Sequence, residues 1–195
     1  MRRGRRTAPP DLPPGLAQWV RSLVSPGRWR HILGVVDEAR RLARLNGLPG
    51  RKAALAAYLH DAAKEMPPDA MLSLLEGTPF RLDRHERKIT ALWHPHASAA
   101  LAFKAWGVRD KAVLEAVRRH ALGGPDMGPL ARVLFVADYV EPGRRFKGAR
   151  EARLRSRRSL SDGVRLKCEG TMAYLRRRRL SIHPRLKRTW QKSLT

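Results

Sequence analysis

The sequence is poor in cysteine. Cys168 is the single cysteine among 195 residues, so no disulfide can form within the chain. Small secreted scaffolds usually depend on several disulfides, and this class of protein is therefore excluded. A chain without disulfides suits a reducing compartment, and we expect the protein to be cytoplasmic.

Long apolar segments are also missing. The best stretches, residues 53–59 and 133–140, are far shorter than the roughly 20 residues that a membrane-spanning helix needs. The amino-terminal arginines resemble the start of a signal peptide, but Pro13, Pro14 and Gly15 interrupt the apolar segment that should follow. The sequence therefore predicts a protein that is neither exported nor inserted in a membrane.

Acidic residues are scarce relative to basic ones. The chain has 17 Asp and Glu against 41 Lys and Arg, which gives a formal net charge of +24 at pH 7. Such an excess creates a positive field that raises the local concentration of anions, including nucleotides, RNA and acidic lipids. The charge alone does not choose among these partners. A nonenzymatic RNA- or ribosome-binding protein therefore stays open as an alternative function.

What the sequence does contain is a succession of helical patterns separated by Gly and Pro. Residues 1–15 combine arginine with proline and predict a flexible basic arm. Residues 16–195 predict a single domain, because a chain of this length can bury one core. No segment alternates apolar and polar residues as a half-buried strand would. The sequence predicts an all-α helical bundle.

Helix boundaries follow from the same residues. Ser25 and Pro26 are typical of an N-cap and first turn, and Gly47 can end the helix that they begin. Further helices are predicted over residues 51–65, 68–75, 95–106, 109–119, 129–140 and 161–178, and His183, before Pro184, starts a last one. After Gly143 arginine dominates, yet apolar residues recur between the arginines. We predict that this carboxy-terminal third is a basic helical extension of the same domain.

The dipeptide His60-Asp61 carries the strongest chemical signal. A His-Asp pair alone is common and weak, but other predicted helices also provide side chains that bind metals. These are His31, His94, His120 and Asp138. Imidazole and carboxylate groups without thiolate suit iron, manganese, zinc or magnesium, and such mixed sets are typical of dinuclear hydrolytic or iron centres. The set predicts a metal centre built from several helices.

The surroundings of Asp138 support this interpretation. It follows the apolar run of residues 133–136, so its helix is expected to be buried. An unpaired carboxylate in such a place would cost several kcal/mol, as an order of magnitude. A bound metal ion would offset that cost.

These residues resemble those of a known family. The order His31, His60-Asp61, Asp138 is similar to the H…HD…D signature of HD phosphohydrolases, which are all-α enzymes built around a metal site. Four segments look more closely like YqeK-type enzymes: residues 60–65, 119–120, 137–144 and 182–184. Those enzymes are symmetrical bis(5'-nucleosyl)-tetraphosphatases, which split diadenosine tetraphosphate into two ADP.

The resemblance runs from about residue 28 to the carboxy terminus and implies two metal ions. The first would be held by His31, His60, Asp61 and Asp138, and the second by Asp61, His94 and His120, with Asp61 as the bridge. The ions implied are divalent or trivalent, with iron first and manganese, magnesium or zinc as alternatives. The reaction implied is hydrolysis of the symmetrical phosphoanhydride bond, with ADP as the leaving group.

Three basic residues are candidates for contact with the substrate. Lys64 follows Asp61 by one helical turn and could contact the phosphate chain or stabilise the leaving group, so both are candidate catalytic residues. Arg144 could bind an outer phosphate bidentately, and Arg145 is a weaker candidate for the same role. His96 is interpreted as a neighbour of the centre and not as a ligand.

Some alternatives stay open. The chain has Ala121-Leu122 where the family commonly has Thr-Thr, and the missing hydroxyls put the substrate preference in question. Other HD activities are a nucleotidase, a deoxynucleotide triphosphohydrolase and a cyclic-nucleotide phosphodiesterase. Non-specific RNA contact through the basic surface could accompany any of them. The sequence sets no oligomeric state, and a dimer is compatible with it.

Overall fold

The structure, a computed structural model, describes residues 12–194, and these residues form ten α-helices and no strand. The helices are α1 Leu16–Ser22, α2 Pro26–Leu45, α3 Gly50–Leu59, α4 Pro68–Leu75, α5 His94–Ala105, α6 Lys111–Arg119, α7 Pro129–Val140, α8 Ala149–Arg158, α9 Leu160–Arg177 and α10 Pro184–Lys192. Two single 3₁₀ turns, Glu86–Lys88 and Thr90–Leu92, lie between α4 and α5. The prediction of an all-α fold is confirmed.

Helix α7 lies at the centre of the bundle. Nearly all of its side chains from Leu130 to Ala137 are buried, as is Val140. It packs against α2, α3, α6, α8 and α9, so the main core forms around it. Helix α3 packs beside α2 and buries Ala53, Ala54, Ala56 and Ala57, whose small side chains let neighbouring helices approach closely. The helices that carry the predicted metal ligands therefore meet in one core.

Several helix ends agree with the residues that predicted them. Ser25 Oγ accepts a hydrogen bond of 3.3 Å from the Arg28 amide, and Pro26 occupies the first turn of α2. Helices α4 and α7 have the predicted bounds, because a proline begins each of them. The carboxylate of Asp110 accepts from the Ala112 and Val113 amides at the start of α6, so this helix begins two residues later than predicted.

The prediction that α3 continues to Glu65 was wrong. The helix ends at Leu59, and residues 60–66 form a series of tight turns. Amides three residues ahead bond to the carbonyl oxygens of Leu59, Asp61 and Ala63, at 3.0–3.2 Å. The Ala63 amide instead donates to Ser98 Oγ at 3.1 Å. At Ala63, a hydrogen bond to Ser98 of α5 thus replaces the helical hydrogen bond. The helix propensities of residues 60–66 do not predict this contact.

Two helices were missed. Helix α1 is seven residues long and begins after Gly15, whose φ is 81°. The prolines before it suggested an extended arm, but Leu16 and Val20 are buried in the core. Helix α8 is dominated by arginine and buries only the small side chains Ala149, Ala152 and Ser156, so its hydrophobic pattern is weak.

The two ends of the chain extend this core. Residues 1–11 of the predicted arm lie outside the described residues, and Leu12, the first described residue, is buried. The basic carboxy-terminal extension packs through α9, which contacts α7, α8 and α10. Among residues 12–194 no helix is both long and apolar enough to cross a membrane.

Candidate metal centre

Five elements deliver the predicted ligands to one place. His31 lies in the second turn of α2, and Asp138 lies in the last turn of α7. The others stand at helix ends: His60 follows α3 directly with Asp61 after it, His94 begins α5, and His120 follows α6. Helix ends suit such a site because side chains from several helices can meet there while the helix backbones stay outside it.

Asp61 lies between the four histidines. Its Oδ2 atom is 3.5 Å from His60 Nε2 and 3.8 Å from His31 Nε2. Its Oδ1 atom is 3.3 Å from His94 Nε2 and 3.5 Å from His120 Nε2. Two groups of ligand-type atoms result, one with His31 and His60 and the other with His94 and His120, and Asp61 belongs to both. Each group could hold a metal ion, and the Asp61 carboxylate is common to both groups.

The second nitrogen of each imidazole is fixed by the protein. The Nδ1–H groups of His60, His94 and His120 donate to backbone carbonyl oxygens three residues earlier, at 2.7, 2.8 and 2.7 Å. The Nδ1 atom of His31 lies 3.2 Å from Glu141 Oε1. In His60, His94 and His120 these hydrogen bonds assign the proton to Nδ1 and leave the lone pair of Nε2 directed at the centre. Histidines that bind metals are usually held in this way.

The donor set fits a metal ion. His60 Nε2 is buried and has no hydrogen-bond partner among residues 12–194. A buried polar atom without a partner costs about 1–3 kcal/mol, which coordination would offset. Imidazole nitrogen and carboxylate oxygen together suit divalent ions of the first transition row. Metal binding would therefore give His60 Nε2 the partner that it lacks, with donor atoms suited to the ion.

The protonation states also favour binding. Burial lowers the pKa of His60 to about 4, and it lowers the pKa values of His94 and His120. Burial raises the pKa of the Asp61 carboxyl, but the surrounding imidazoles, His60 first, hold it well below its usual range. Neutral imidazole and ionised carboxylate are the forms that coordinate a metal, so His60, His94, His120 and Asp61 need lose no proton at neutral pH.

Asp138 lies beside the centre but outside both groups of atoms. Its Oδ1 atom is 3.1 Å from His31 Nε2 and 2.8 Å from Arg144 Nη2, and Oδ2 is 2.8 Å from Lys167 Nζ. Burial raises the pKa of Asp138, but Lys167, His31 and Arg144 outweigh it and keep the group ionised. Burial lowers the pKa of His31, but its hydrogen bonds to Asp138 and Glu141 raise it overall. Asp138 therefore contacts the first group through His31.

Cationic side chains surround the ligands. Arg28 Nη1 donates to Asp61 Oδ2 at 2.8 Å, and Lys64 Nζ lies 3.1 Å from His94 Nδ1. Arg144 Nε donates to the Asp138 backbone carbonyl at 2.9 Å, in addition to its side-chain contact. Lys64 and Arg144 were predicted near the centre, and both lie there. Three cations thus stand in direct contact with the predicted ligands Asp61, His94 and Asp138.

Arg145 lines a cavity next to the centre. The cavity has a volume of about 840 Å³, and its lining includes His31, Glu141, Arg30 and Arg145. One wall is α2, where Gly34 lies so close to the Glu141 side chain that a Cβ atom at this position would overlap with it. The cavity is large enough for a nucleotide-sized ligand.

Sequence reasoning missed three residues of the centre. Arg28 contacts Asp61, Glu141 holds His31, and Lys167 holds Asp138. Glu141 lies inside residues 137–144, one of the segments that carry the family resemblance, but it is not a ligand-type position of the signature, and Arg28 lies in none of those segments. Lys167 gave no signal at all, because it is one of many basic residues in the carboxy-terminal third.

The remaining histidines lie apart from Asp61. His96 Nε2 is 3.0 Å from Glu86 Oε1, and its ring is buried. His183 is the N-cap of α10, where its Nδ1 accepts from the Arg185 amide at 3.0 Å. None of these side chains belongs to either group of ligand atoms in the described part of the chain.

Comparison with protein families decides the classification. Residues 28–143, more than half of the chain, match the family model of the HD domain. The chain belongs to the HD domain family. This HD-domain protein is 34% identical over 167 residues to the symmetrical bis(5'-nucleosyl)-tetraphosphatase of Bacillus subtilis (strain 168), a match that covers 85% of this chain and 88% of that enzyme. The predicted resemblance to the HD superfamily and its YqeK-type members is confirmed.

Two other relatives extend the comparison. This HD-domain protein is 31% identical over 169 residues to the symmetrical bis(5'-nucleosyl)-tetraphosphatase of Halalkalibacterium halodurans, covering 86% of this chain and 89% of that one. A crystal structure from Clostridium acetobutylicum, described as a predicted HD superfamily hydrolase involved in NAD metabolism, superposes with a TM-score of 0.86 at 28% identity. It covers 92% of this chain and 95% of its own, so the shared fold includes much of the basic extension.

Proposed function

We propose that this HD-domain protein is a metal-dependent symmetrical bis(5'-nucleosyl)-tetraphosphatase, which hydrolyses diadenosine tetraphosphate to two ADP. The observation that carries the proposal is the placement of one carboxylate, Asp61, between two pairs of inward-directed histidines. The relatives that share most of the chain and carry this activity in their names support the choice of substrate.

We infer two metal ions, with iron as the first candidate and manganese, magnesium or zinc as alternatives. His31, His60 and Asp61 would hold one ion, with Asp138 as the fourth ligand, and Asp61, His94 and His120 would hold the other. Metal ions in such a centre supply Lewis acidity for phosphate oxygens and activate water at neutral pH. Because activated water would be the nucleophile, the reaction would require no nucleophilic side chain from the protein.

The remaining work falls to side chains that bind phosphate. Arg28, Lys64 and Arg144 lie around Asp61, His94 and Asp138, and their charges would neutralise the phosphate oxygens. Lys64 is half-buried, and burial lowers its pKa from the usual value of a lysine. We propose that it contacts the phosphate on the leaving side of the broken bond.

The cavity beside His31 is the proposed site for one end of the substrate. Arg30 and Arg145 line it and carry positive charge toward the position of an outer phosphate. A symmetrical cut places the broken bond in the middle of the tetraphosphate. One nucleoside diphosphate would therefore lie in this cavity.

A panel of nucleotides tests the proposal. The protein, loaded with Mn²⁺ or Fe²⁺, is assayed for kcat/KM on diadenosine tetraphosphate, a deoxynucleoside triphosphate, a nucleoside monophosphate and a cyclic nucleotide. We expect the dinucleotide to have the highest kcat/KM, and Asp61→Asn to remove the activity on it. A higher kcat/KM for any of the other three would replace the proposed substrate and keep the HD phosphohydrolase chemistry.

Other expectations from the sequence stay predictions. They are non-specific RNA contact through the basic surface and a cytoplasmic location, while the oligomeric state stays open with a dimer as one possibility. An RNA contact would weaken steeply with added salt, because phosphate contacts release counterions. It would also be compatible with catalysis, since the centre and the surface charge are separate features.

A further inference from the structure

Lys167 is a buried cation that no motif indicates. It lies in α9, beyond residues 28–143 that match the HD domain, and its side chain is only 5% exposed. Its Nζ atom donates to Asp138 Oδ2 at 2.8 Å and to the His120 backbone carbonyl at 2.7 Å. The same atom stands 4.2 Å from the centre of the Phe135 ring. Every contact of this ammonium group is therefore made inside the protein.

These contacts join the two halves of the centre. Asp138 contacts His31, which belongs to the first group of ligand atoms, and His120 belongs to the second. Because Lys167 holds Oδ2, the carboxylate turns its Oδ1 atom toward His31 Nε2, 3.1 Å away. The bond to the carbonyl of His120 also satisfies a backbone acceptor that the end of α6 leaves without a helical partner.

Arg144 is not equivalent to Lys167. Its side chain contacts Oδ1, the oxygen that faces His31, and it is 38% exposed. It can therefore turn away when a metal ion or a phosphate group approaches. Lys167 contacts the opposite oxygen from a position that solvent hardly reaches, so its contact can persist.

We propose that Lys167 is a positioning residue of the metal centre, which orients the Asp138 carboxylate so that Oδ1 is available to the ion held by His31 and His60. The proposal depends on the role of Asp138 as a ligand in the proposed function. It makes the basic extension a structural part of the centre, because α9 supplies a contact that the matched HD segment does not contain.

Metal affinity tests this role without any assay of activity. Mn²⁺ is titrated into metal-free protein, and the free ion is followed by its electron paramagnetic resonance signal, which gives the number of sites and their Kd values. Lys167→Met keeps the length and removes the charge and the donor. Lys187→Met, at an exposed position of α10, is the matched control for loss of one positive charge.

We expect Lys167→Met to weaken one Mn²⁺ site by about 10–100-fold, as is typical when a partner of a metal ligand is removed. Lys187→Met should leave both Kd values unchanged. Wild-type or tighter Mn²⁺ binding by a folded Lys167→Met protein would overturn the proposal. If circular dichroism shows that this variant does not fold, Lys167→Gln replaces it, since it keeps a neutral donor and should weaken the same site less. Unchanged binding by Lys167→Gln would then overturn it.

A double-mutant cycle separates orientation from packing. The Kd values for Mn²⁺ should be the same in Asp138→Asn and in the double variant with Lys167→Met, because the carboxylate that Lys167 orients is already gone. An equal loss of affinity in both backgrounds would mean that Lys167 acts only through packing or through His120. Failure of the proposed function would look different. The wild-type protein would bind Mn²⁺ and show the coupling between Lys167 and Asp138, but it would not hydrolyse the dinucleotide.

Discussion

Asp61 shows at the scale of one residue how the centre is organised, because each of its oxygens faces a different pair of histidines. Asp61→Asn keeps the shape and removes the charge that both ions would share. We expect metal content to fall below one ion per chain. Turnover should fall by more than about 100-fold, since loss of an outer partner alone typically costs about 10–100-fold.

The measurement is metal analysis of the purified variant together with its kcat on diadenosine tetraphosphate. His85→Gln is the control, because His85 lies outside both groups of ligand atoms. It should retain wild-type metal content. A normal metal content in Asp61→Asn would contradict the assignment of Asp61 as the shared ligand.

Glu141 is the partner that fixes the ring of His31. Its Oε1 atom is 3.2 Å from His31 Nδ1, and its side chain is 5% exposed. In Glu141→Ala, His31 can turn and lose the direction of Nε2, so the Kd for Mn²⁺ should rise about 10–100-fold at one site. Glu151→Ala, an exposed position in α8, should not change it. Equal Kd values in the two variants, measured by the same titration, would show that Glu141 has no such role.

That the proposed ligand residues lie close together could be predicted from the sequence, but their supporting contacts could not. His60-Asp61, His31 and Asp138 follow an order that the residue types themselves display. Glu141 and Lys167 act only through the neighbour that the fold brings to them, 110 and 29 residues away along the chain. No spacing in the sequence records such contacts.

At the scale of elements, a cluster of ion pairs ties α10 to the turn before α5. Glu86 Oε1 lies 2.7 Å from Arg185 Nη1 and 3.0 Å from His96 Nε2. Burial raises the pKa of Glu86, but His96, the Asp83 amide and Arg185 outweigh it and lower this pKa to about 2. A carboxyl whose pKa is depressed on folding stabilises the protein above its ordinary pKa of 4.5 and loses that contribution as the pH falls to about 2.

Glu86→Gln should therefore reduce stability at neutral pH and flatten its dependence on pH between 4.5 and 2. The expected loss is on the order of 3 kcal/mol in the free energy of unfolding at neutral pH. Urea unfolding of metal-free protein at a series of pH values measures it. Glu76→Gln is the control at an exposed position. A variant with the same acid sensitivity as wild type would mean that Glu86 does not carry this dependence.

Element boundaries were predictable where a proline or a capping side chain sets them, as at Pro68, Pro129 and Ser25. They were not predictable where a contact from another helix ends the element. The turn after Leu59 is such a case, because Ser98 binds the Ala63 amide. Helix α8 was missed for another reason, because it packs with small side chains that give almost no hydrophobic pattern in the sequence.

At the scale of the whole molecule, metal binding and folding are linked. The proposed ligands come from α2, α5 and α7 and from the turns after α3 and α6, so an unfolded chain has no preformed site. Mn²⁺ at about 100 times its Kd should stabilise the protein by about 2.7 kcal/mol for each site. Thermal unfolding with and without Mn²⁺ should show a higher Tm for wild type and little change for Asp61→Asn. Equal shifts in both proteins would mean that the stabilising ion binds elsewhere.

The net charge of +24 sets a second property of the whole molecule. It favours the approach of polyanions in general, whereas the choice of substrate depends on the centre and the cavity beside it. Composition could therefore predict an anionic partner but not which one. Membership in the HD domain family says more about which anion is bound than the net charge does.

The most direct test is to resolve the products of diadenosine tetraphosphate after incubation with the metal-loaded protein. Attack at the central bond gives two molecules of ADP from each substrate, and Asp61→Asn gives none. We predict ADP as the sole product. ATP and AMP in equal amounts would contradict symmetrical cleavage, because they would place the broken bond one position away from the middle of the tetraphosphate.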